Sequence, residues 1–233
     1  PAVININVAS NLFSQDAGTF KDSDWTKQEA GEEDIYEVKD IYSESDTSLD
    51  AKIFDLELLV KDFQLLKNEV HFKVGYRYQE FDFIAFDMVQ WERGERVDDD
   101  PGEVIDYNVS YNVPYLGAGF NLNNLLIKFI DTSNLDLKLN LAYAPVVEIN
   151  GRDNHILRIG EKGRKINTDG QAVMIDAEFD YYLNDHLSLY FGTSYMNLET
   201  DGSQTLVNLY NETQKLNTEV EGQELKTKLG FSY

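Results

Sequence analysis

Two short stretches of the chain carry the residue types that activate water. FKDSDWTK at 20–27 holds Asp22 and Asp24, and NGRDNHILR at 150–158 holds Asp153 and His155. In each stretch the two polar residues are two apart, so on an extended backbone both side chains leave the same face. An imidazole can take a proton from water while a neighbouring carboxylate orients the ring and stabilises the imidazolium. Two close carboxylates cannot easily both ionise, so the pair can hold and relay a proton. Water placed between the two pairs has the means to attack a peptide carbonyl without a covalent intermediate. That chemistry calls for no cofactor and no metal. The bland alternative stands beside it. In a chain with 42 acidic residues and 3 His, Asp-x-Asp in a loop is more often solvated, or a weak calcium ligand, than catalytic. Spacing alone leaves both readings open.

The elements that must position these residues have a period of two. Phe54, Leu56, Leu58 and Val60 alternate with Asp55 and Glu57. Val70, Phe72, Val74, Tyr76 and Tyr78 alternate with His71, Lys73, Gly75 and Arg77, and the same pattern recurs over 135–143, 173–181 and the C-terminal ELKTKLGFSY. Each such segment is a strand with one apolar and one polar face. About eight strands follow: 3–13, 50–63, 69–85, 104–120, 135–149, 171–183, 186–198 and 214–233. The connections at 64–68 and 183–186 are tight, and the one at 121–134 is intermediate. Those at 14–49, 86–103, 150–170 and 199–213 are long and polar. In an antiparallel up-and-down arrangement this alternation gathers every long connection at one end. Asp22, Asp24, Asp153 and His155 then share that end.

Composition narrows the class. With 233 residues and 42% hydrophobic content the chain reads as a single all-β domain over 1–233. It has no Cys, which removes disulfides and thiolate zinc sites. A formal net charge of -22 argues against nucleic acid or an anionic lipid surface as the main partner. No run of 18 apolar residues exists, so no transmembrane helix is expected. The opening PAVININV, without Met or a signal-like apolar region, reads as a mature or truncated product.

Alternation does not say which face points out, and a soluble barrel would bury the apolar one. Two features favour a transmembrane β-barrel. The apolar faces stay bulky over about 9–11 residues, the length that crosses a bilayer at a tilt. Phe63, Phe72, Tyr181, Tyr182 and Tyr190 flank the tight turns, where an interfacial girdle would sit. The expected lipid-facing set includes Phe54, Leu56, Leu58, Phe72, Val74, Leu137, Leu139, Leu189 and Phe231. Asp55, Lys73, Arg77 and Asp176 then point into the lumen, where charges need partners. Lys73, Arg77, Lys128 and Lys138 are available to meet Asp55, Glu57, Asp136, Asp176 and Glu178.

At this point the residues resemble a known family. The first 25 residues, up to KDSDW, are similar without a gap to the omptin segment ending in Asp-x-Asp-Trp. FDLELLVKD, VGYRYQEFDF, NVPYLGAGF, EINGRDNH, DYYLNDHLSLYF and KLGFSY follow in family order. Omptins are ten-stranded outer-membrane endopeptidases whose site at the extracellular rim pairs two aspartates with an Asp-x-His dyad. The resemblance implies those roles for Asp22, Asp24, Asp153 and His155, with the last eight family strands present in this chain. It implies the outer membrane of a Gram-negative bacterium, a site facing outside, and a peptide or protein substrate. Asp40 falls where the family has a further acid near the site, and Glu148 is a second acid near the pocket. Three departures stand out. The acid that in omptins helps select a basic side chain, two residues before the dyad Asp, is Gly151 here. The positions matching the family's basic lipopolysaccharide site are Glu80, Ser110 and Asn167, which argues against that partner. A serine of the family aligns with Tyr42, so a serine nucleophile has no support. The alternative within the same superfamily is a non-catalytic barrel serving as an adhesin or structural protein. A pore is disfavoured, because side chains fill the lumen of eight strands.

Overall fold

Backbone groups inside a bilayer find no water, so strands that cross it must pair with each other along their whole length. The computed structural model of the chain shows such a ladder. It describes residues 2–11, 13–29, 35–65, 68–123, 134–156, 161–184, 186–208, 210 and 212–232. At 24–29, 35–38, 61–65, 68, 161–162 and 232 it describes the backbone alone. The elements are β1 (Ala2–Ser10), β2 (Gln15–Glu29), β3 (Ile35–Leu65), β4 (Asn68–Glu92), β5 (Glu95–Asn121), β6 (Leu135–His155), β7 (Glu161–Asn184), β8 (Leu187–Asn208) and β9 (Thr213–Ser232). All neighbours are antiparallel, in the order β1-β3-β4-β5-β6-β7-β8-β9, with β2 also on β3. β1 pairs with Lys52–Val60 and β2 with Ile35–Leu49, so the two share one strand position. At the break between them Asn11 takes over the ladder, accepting from the Ala51 amide and donating to the Leu49 carbonyl. Eight strand positions result, as the alternation predicts.

The long connections differ from expectation. Residues 14–49, 86–103, 150–170 and 199–213 are predicted as loops, yet β2, β3, β4, β5, β6, β7, β8 and β9 carry paired backbone through most of them. β4 and β5 meet at a two-residue turn, Arg93-Gly94, with φ of 49° and 88°, the left-handed pair that tight hairpins use. The reason for the miss is visible in β3, where Ser43, Ser45 and Thr47 are buried on the inner face. The strand period continues there, but small hydroxyl residues carry it instead of apolar ones. The 31 residues of β3 span about 100 Å at roughly 3.3 Å each, three times the hydrocarbon thickness. Its upper half therefore stands clear of the membrane.

The sheet curls strongly. Gln79 on β4 donates to Glu224 on β9 at 3.1 Å, and Lys73 on β4 reaches Asp176 on β7 at 3.2 Å. In a flat sheet β4 and β9, five positions apart, would lie about 24 Å from each other. The polar faces thus meet across a lumen, and β1 and β9 form the two edges of the described sheet. Among the described residues no helix is long and apolar enough to cross a membrane; the strands carry the crossing.

The outer face is the apolar one. Phe54, Leu56, Leu58, Phe72, Val74 and Phe231 are exposed, Val74 at 55%, while Leu137, Leu139 and Leu189 are half-buried among neighbours. Lys73, by contrast, is only 8% exposed on the inner face. The reverse assignment, a soluble barrel with this set as its core, does not hold. Of the predicted girdle, Phe72, Tyr181 and Tyr182 are exposed. Tyr190 instead turns inward and lines the lumen, because it is in phase with Gly192 and Ser194 and out of phase with Phe191. The Phe63 side chain and Lys128 lie outside the described residues. A charge placed in the apolar belt should be costly. Val74→Arg is expected to lose about 2–4 kcal/mol of folding stability near the midplane, and Ser110→Arg, above the belt, about 0–1. Equilibrium refolding into lipid vesicles measures both.

Candidate active site

The inner face of the membrane-distal half is built from six strands. Its residues are Phe20 and Asp22 on β2, Ser43, Ser45 and Thr47 on β3, Phe83 and Ala85 on β4, Ile105 and Tyr107 on β5, Asp153 and His155 on β6, and Arg164 and Ile166 on β7. Cross-strand partners point the same way, so the register assigns each side chain to this face. Asp153 sits opposite Tyr107 on one side and Arg164 on the other, and His155 sits opposite Ile105.

The dyad is formed. His155 Nε2 lies 3.1 Å from Asp153 Oδ1, and the two side chains are 18% and 15% exposed. With the Nε2–H directed at the carboxylate, Nδ1 is the nitrogen left to accept a proton. Asp22 faces the same interior, and the Ser23 amide donates to its Oδ1 at 2.9 Å. Phe20, two residues earlier and on the same face, stacks edge-on against Phe83 with centroids 5.7 Å apart. It joins the cluster of Ala85, Val104 and Ile105. Ile105 is the direct partner of His155, so one apolar cluster ties the aspartate strand to the dyad strand. Asp24 continues this face in the backbone, opposite Ile41 and at a bulge; its side chain lies outside the described residues.

The two other acids stand elsewhere. Glu148 is exposed on the outer face of β6. It lies five residues from Asp153, an odd step that reverses the side chain on a strand. Asp40 is met by Arg93 at 3.1 Å, beside Tyr42 and Trp91 in a shallow cleft near the β4–β5 turn. Neither faces the dyad. Among the described residues no three His, Cys, Asp or Glu side chains gather as a metal-holding group.

Tyr107 and Arg164 are neighbours of Asp153 that spacing cannot reveal, because only cross-strand register brings them to it. Burial, then the fields of Tyr111 and Asp153, push the Tyr107 phenol up, which keeps it a neutral hydrogen-bond donor beside the dyad.

On the outer side of β2 and β3, Tyr42 donates to Glu44, and Lys21 reaches the same carboxylate at 3.2 Å. The hydrogen bond from Tyr42, then that from Lys21, hold the Glu44 carboxyl below its ordinary value. A carboxylate lowered in the folded state contributes stability above its unfolded pKa, about 4.3, and loses it as pH falls through the folded value. Amide protection along the β2–β3 ladder, taken relative to the intrinsic exchange rate at each pH, should therefore fall on acidification below that range. Glu44→Gln should abolish the acid step, and persistence of the step in that variant would assign it to another group.

The comparisons with known proteins concern the family and the fold. The family model described as the omptin family matches residues 3–233. The crystal structure of the outer membrane protease OmpT from Escherichia coli is similar at a TM-score of 0.71 and 18% identity, covering 100% of this chain and 78% of that one. At that identity the likeness concerns the fold. The ferric yersiniabactin uptake receptor FyuA from Yersinia pestis shares 11% identity over 80% of this chain and 26% of that one. The ferric citrate transporter FecA shares 12% over 97% and 36%. Both have a TM-score of 0.34 and carry no argument. No curated protein matches the chain significantly.

Proposed function

The chain belongs to the omptin family, and from that premise we propose that it is an outer-membrane endopeptidase whose Asp153–His155 dyad activates water opposite Asp22 and Asp24. The observation that carries this reading is the 3.1 Å contact between His155 and Asp153, on the inner face and above the apolar belt. Asp153 holds the Nε2–H and stabilises the imidazolium, while Nδ1 takes a proton from water. Asp22 and Asp24 hold that water from the facing wall and share a proton with it. The hydroxide attacks the peptide carbonyl, and His155 returns the proton to the departing amine. Tyr107 supplies a neutral donor near the developing charge. No cofactor enters, and no covalent intermediate forms.

The same reading places the mouth outside a Gram-negative cell, where peptide and protein substrates reach it. Outer-membrane lipid is the partner of the belt, and a net charge of -22 keeps nucleic acid away. On the outer wall above the belt, Glu80 is held by Lys52 at 2.9 Å and by Tyr78 at 2.6 Å. Ser110 donates to the Asn150 carbonyl at 3.3 Å, and Asn167 pairs with Asn150. That wall offers lipopolysaccharide phosphates little charge, so activity should not depend on it.

Purified protein folded in detergent should cut an unstructured polypeptide, with the new termini read by mass spectrometry, equally with and without lipopolysaccharide. A well-folded barrel that leaves every such polypeptide intact would instead be the adhesin or structural protein of the alternative reading.

A further inference from the structure

The outer wall far above the membrane carries two aromatic rings that lipid does not explain. Tyr42 on β3 and Trp91 on β4 are cross-strand partners, out of phase with the buried, inward Ser43, so both stand on the outer face. Tyr42 lies twelve residues beyond Phe54 of the apolar belt, roughly 40 Å along the strand. An interfacial girdle sits at the edge of the hydrocarbon, well short of that height. The two ring centroids are 5.4 Å apart and the planes are tilted by 34°. Lys39 Nζ lies 3.8 Å over the Tyr42 ring, which leaves Trp91 as the platform. Beside the rings is a cleft of about 290 Å³ lined by Lys39, Asp40, Tyr42, Trp91, Arg93 and Gly94. Arg93 gives Nε to Asp40 Oδ1 at 3.1 Å, and its amide donates to the Asp40 carbonyl at 2.9 Å, so the backbone holds the charged pair in place. The Arg93 side chain is still 66% exposed. Gly94, at φ 88°, has no side chain, and nothing lies within 4 Å of where a Cβ would stand. The cleft is open on the side of the turn.

Size, charge and chemistry select the ligand. The volume stands at the lower limit for a ligand site, roughly 300 Å³, which suits one ring and not a length of polypeptide. Arg93 with Asp40 and Lys21 with Glu44 are paired charges, and the chain around them carries a net -22, so an anion is repelled. A cation is turned away as well, because Lys39 and Arg93 stand where it would stack. What remains is a neutral molecule with an apolar face for the indole and a polar edge for the ion pair. A sugar ring has both, with C–H groups on its face and hydroxyls at its rim that donate to a carboxylate and accept from a guanidinium. We infer that this cleft binds a neutral pyranose ring of a cell-surface polysaccharide, stacked on Trp91 and hydrogen-bonded to Asp40 and Arg93. The site lies on the outer face, away from the dyad, and does not depend on the peptidase reading.

The test titrates the purified full chain, in a detergent without a sugar headgroup, with cellohexaose, chitohexaose, maltohexaose and mannohexaose by isothermal calorimetry. At least one of these neutral hexasaccharides should bind, and the anionic hexagalacturonate should bind about 10-fold or more weakly. Trp91→Ala should weaken the bound sugar about 10-fold or more, the loss that follows removal of a central aromatic anchor, while Trp91→Phe keeps most of the affinity. Arg93→Ala should weaken it too, and His155→Ala should change nothing. Lipopolysaccharide carrying its polysaccharide chain, added as a competitor, names the source of the sugar. Competition places it in the protein's own leaflet and its absence on another surface, and the pyranose assignment stands in both cases. Failure of all four neutral sugars to bind overturns the inference, as does tighter binding of hexagalacturonate or unchanged binding by a folded Trp91→Ala variant. Heat from an unstructured polypeptide that is lost in Trp91→Ala, with none from the sugars, assigns the cleft to a protein partner instead.

Discussion

His155→Ala should lower kcat on a peptide substrate by about 10²–10⁴, the range in which a general base contributes, and leave the barrel folded. The first half of the expectation follows from the dyad. With the Nε2–H engaged by Asp153 at 3.1 Å, Nδ1 is the acceptor, and alanine leaves on β6 only the Asp153 carboxylate, a weaker base, to take a proton from water. The second half follows from position. His155 is the last residue of β6 and lies above the apolar belt, so its loss removes no lipid contact and no ladder hydrogen bond. Asp153→Asn should also lose rate, because an amide can present its NH₂ to the ring and select the other tautomer. Asp22→Asn tests the opposite wall. A His155→Ala variant that cleaves as well as the parent, with unchanged unfolding in denaturant, would remove the dyad from the mechanism.

The apolar belt was legible because lipid demands large residues at every second position, and Phe54 to Val60 and Val70 to Tyr78 satisfy that demand without interruption. The upper strands were not, because their inner face mixes small hydroxyl residues with aromatic and aliphatic ones. Ser43, Ser45 and Thr47 alternate as regularly as the belt does, yet they have no hydropathy signature. Within the site, Asp153 and His155 share a face by their spacing alone, and the contact between them follows from that. Glu148 shows the same rule unused, since an odd step from Asp153 already puts it outside. Tyr107, Arg164 and Ile166 needed the register of β5 and β7 against β6. Bulges at Asn112/Leu116 and Ala144/Val147 set that register, and no local pattern announces them. The family resemblance supplied what periodicity does not, which of the many acids belong together.

Arg77→Ala should destabilise the barrel by about 3 kcal/mol, the low end of the range for removing one partner of a buried ion pair. Arg77 Nε and Nη2 both donate to Asp55 Oδ2, at 2.9 and 2.7 Å, and the Tyr115 hydroxyl donates to Oδ1 at 2.9 Å. Tyr115 reaches this position because Gly75, on the facing strand, has no side chain in its way. The two charged side chains are 14% and 13% exposed. The layer continues through Lys73, which binds Glu57 at 3.3 Å and Asp176 at 3.2 Å, with Ser194 donating to Asp176 at 2.5 Å. These contacts join β3, β4, β5, β7 and β8 across the lumen at the depth of the apolar belt. Without Arg77, Asp55 keeps Tyr115 on Oδ1 and loses both hydrogen bonds to Oδ2. Two effects compete over the size of the loss. Low dielectric around the lumen makes a lone carboxylate costly. The cavity it borders, about 280 Å³ and lined by Asn5, Asn7 and Lys226 among others, is polar and large enough to admit water. Rehydration wins part of the difference, which is why the low end of the range applies. The double variant Arg77→Met/Asp55→Leu removes both charges and should recover most of the stability, since apolar replacement of a buried pair is often neutral. A double-mutant cycle in urea, with the protein refolded in vesicles, reads the coupling directly. A single Arg77→Ala variant as stable as the parent would mean that water already carries Asp55 and that the ionic layer is a solvated lining.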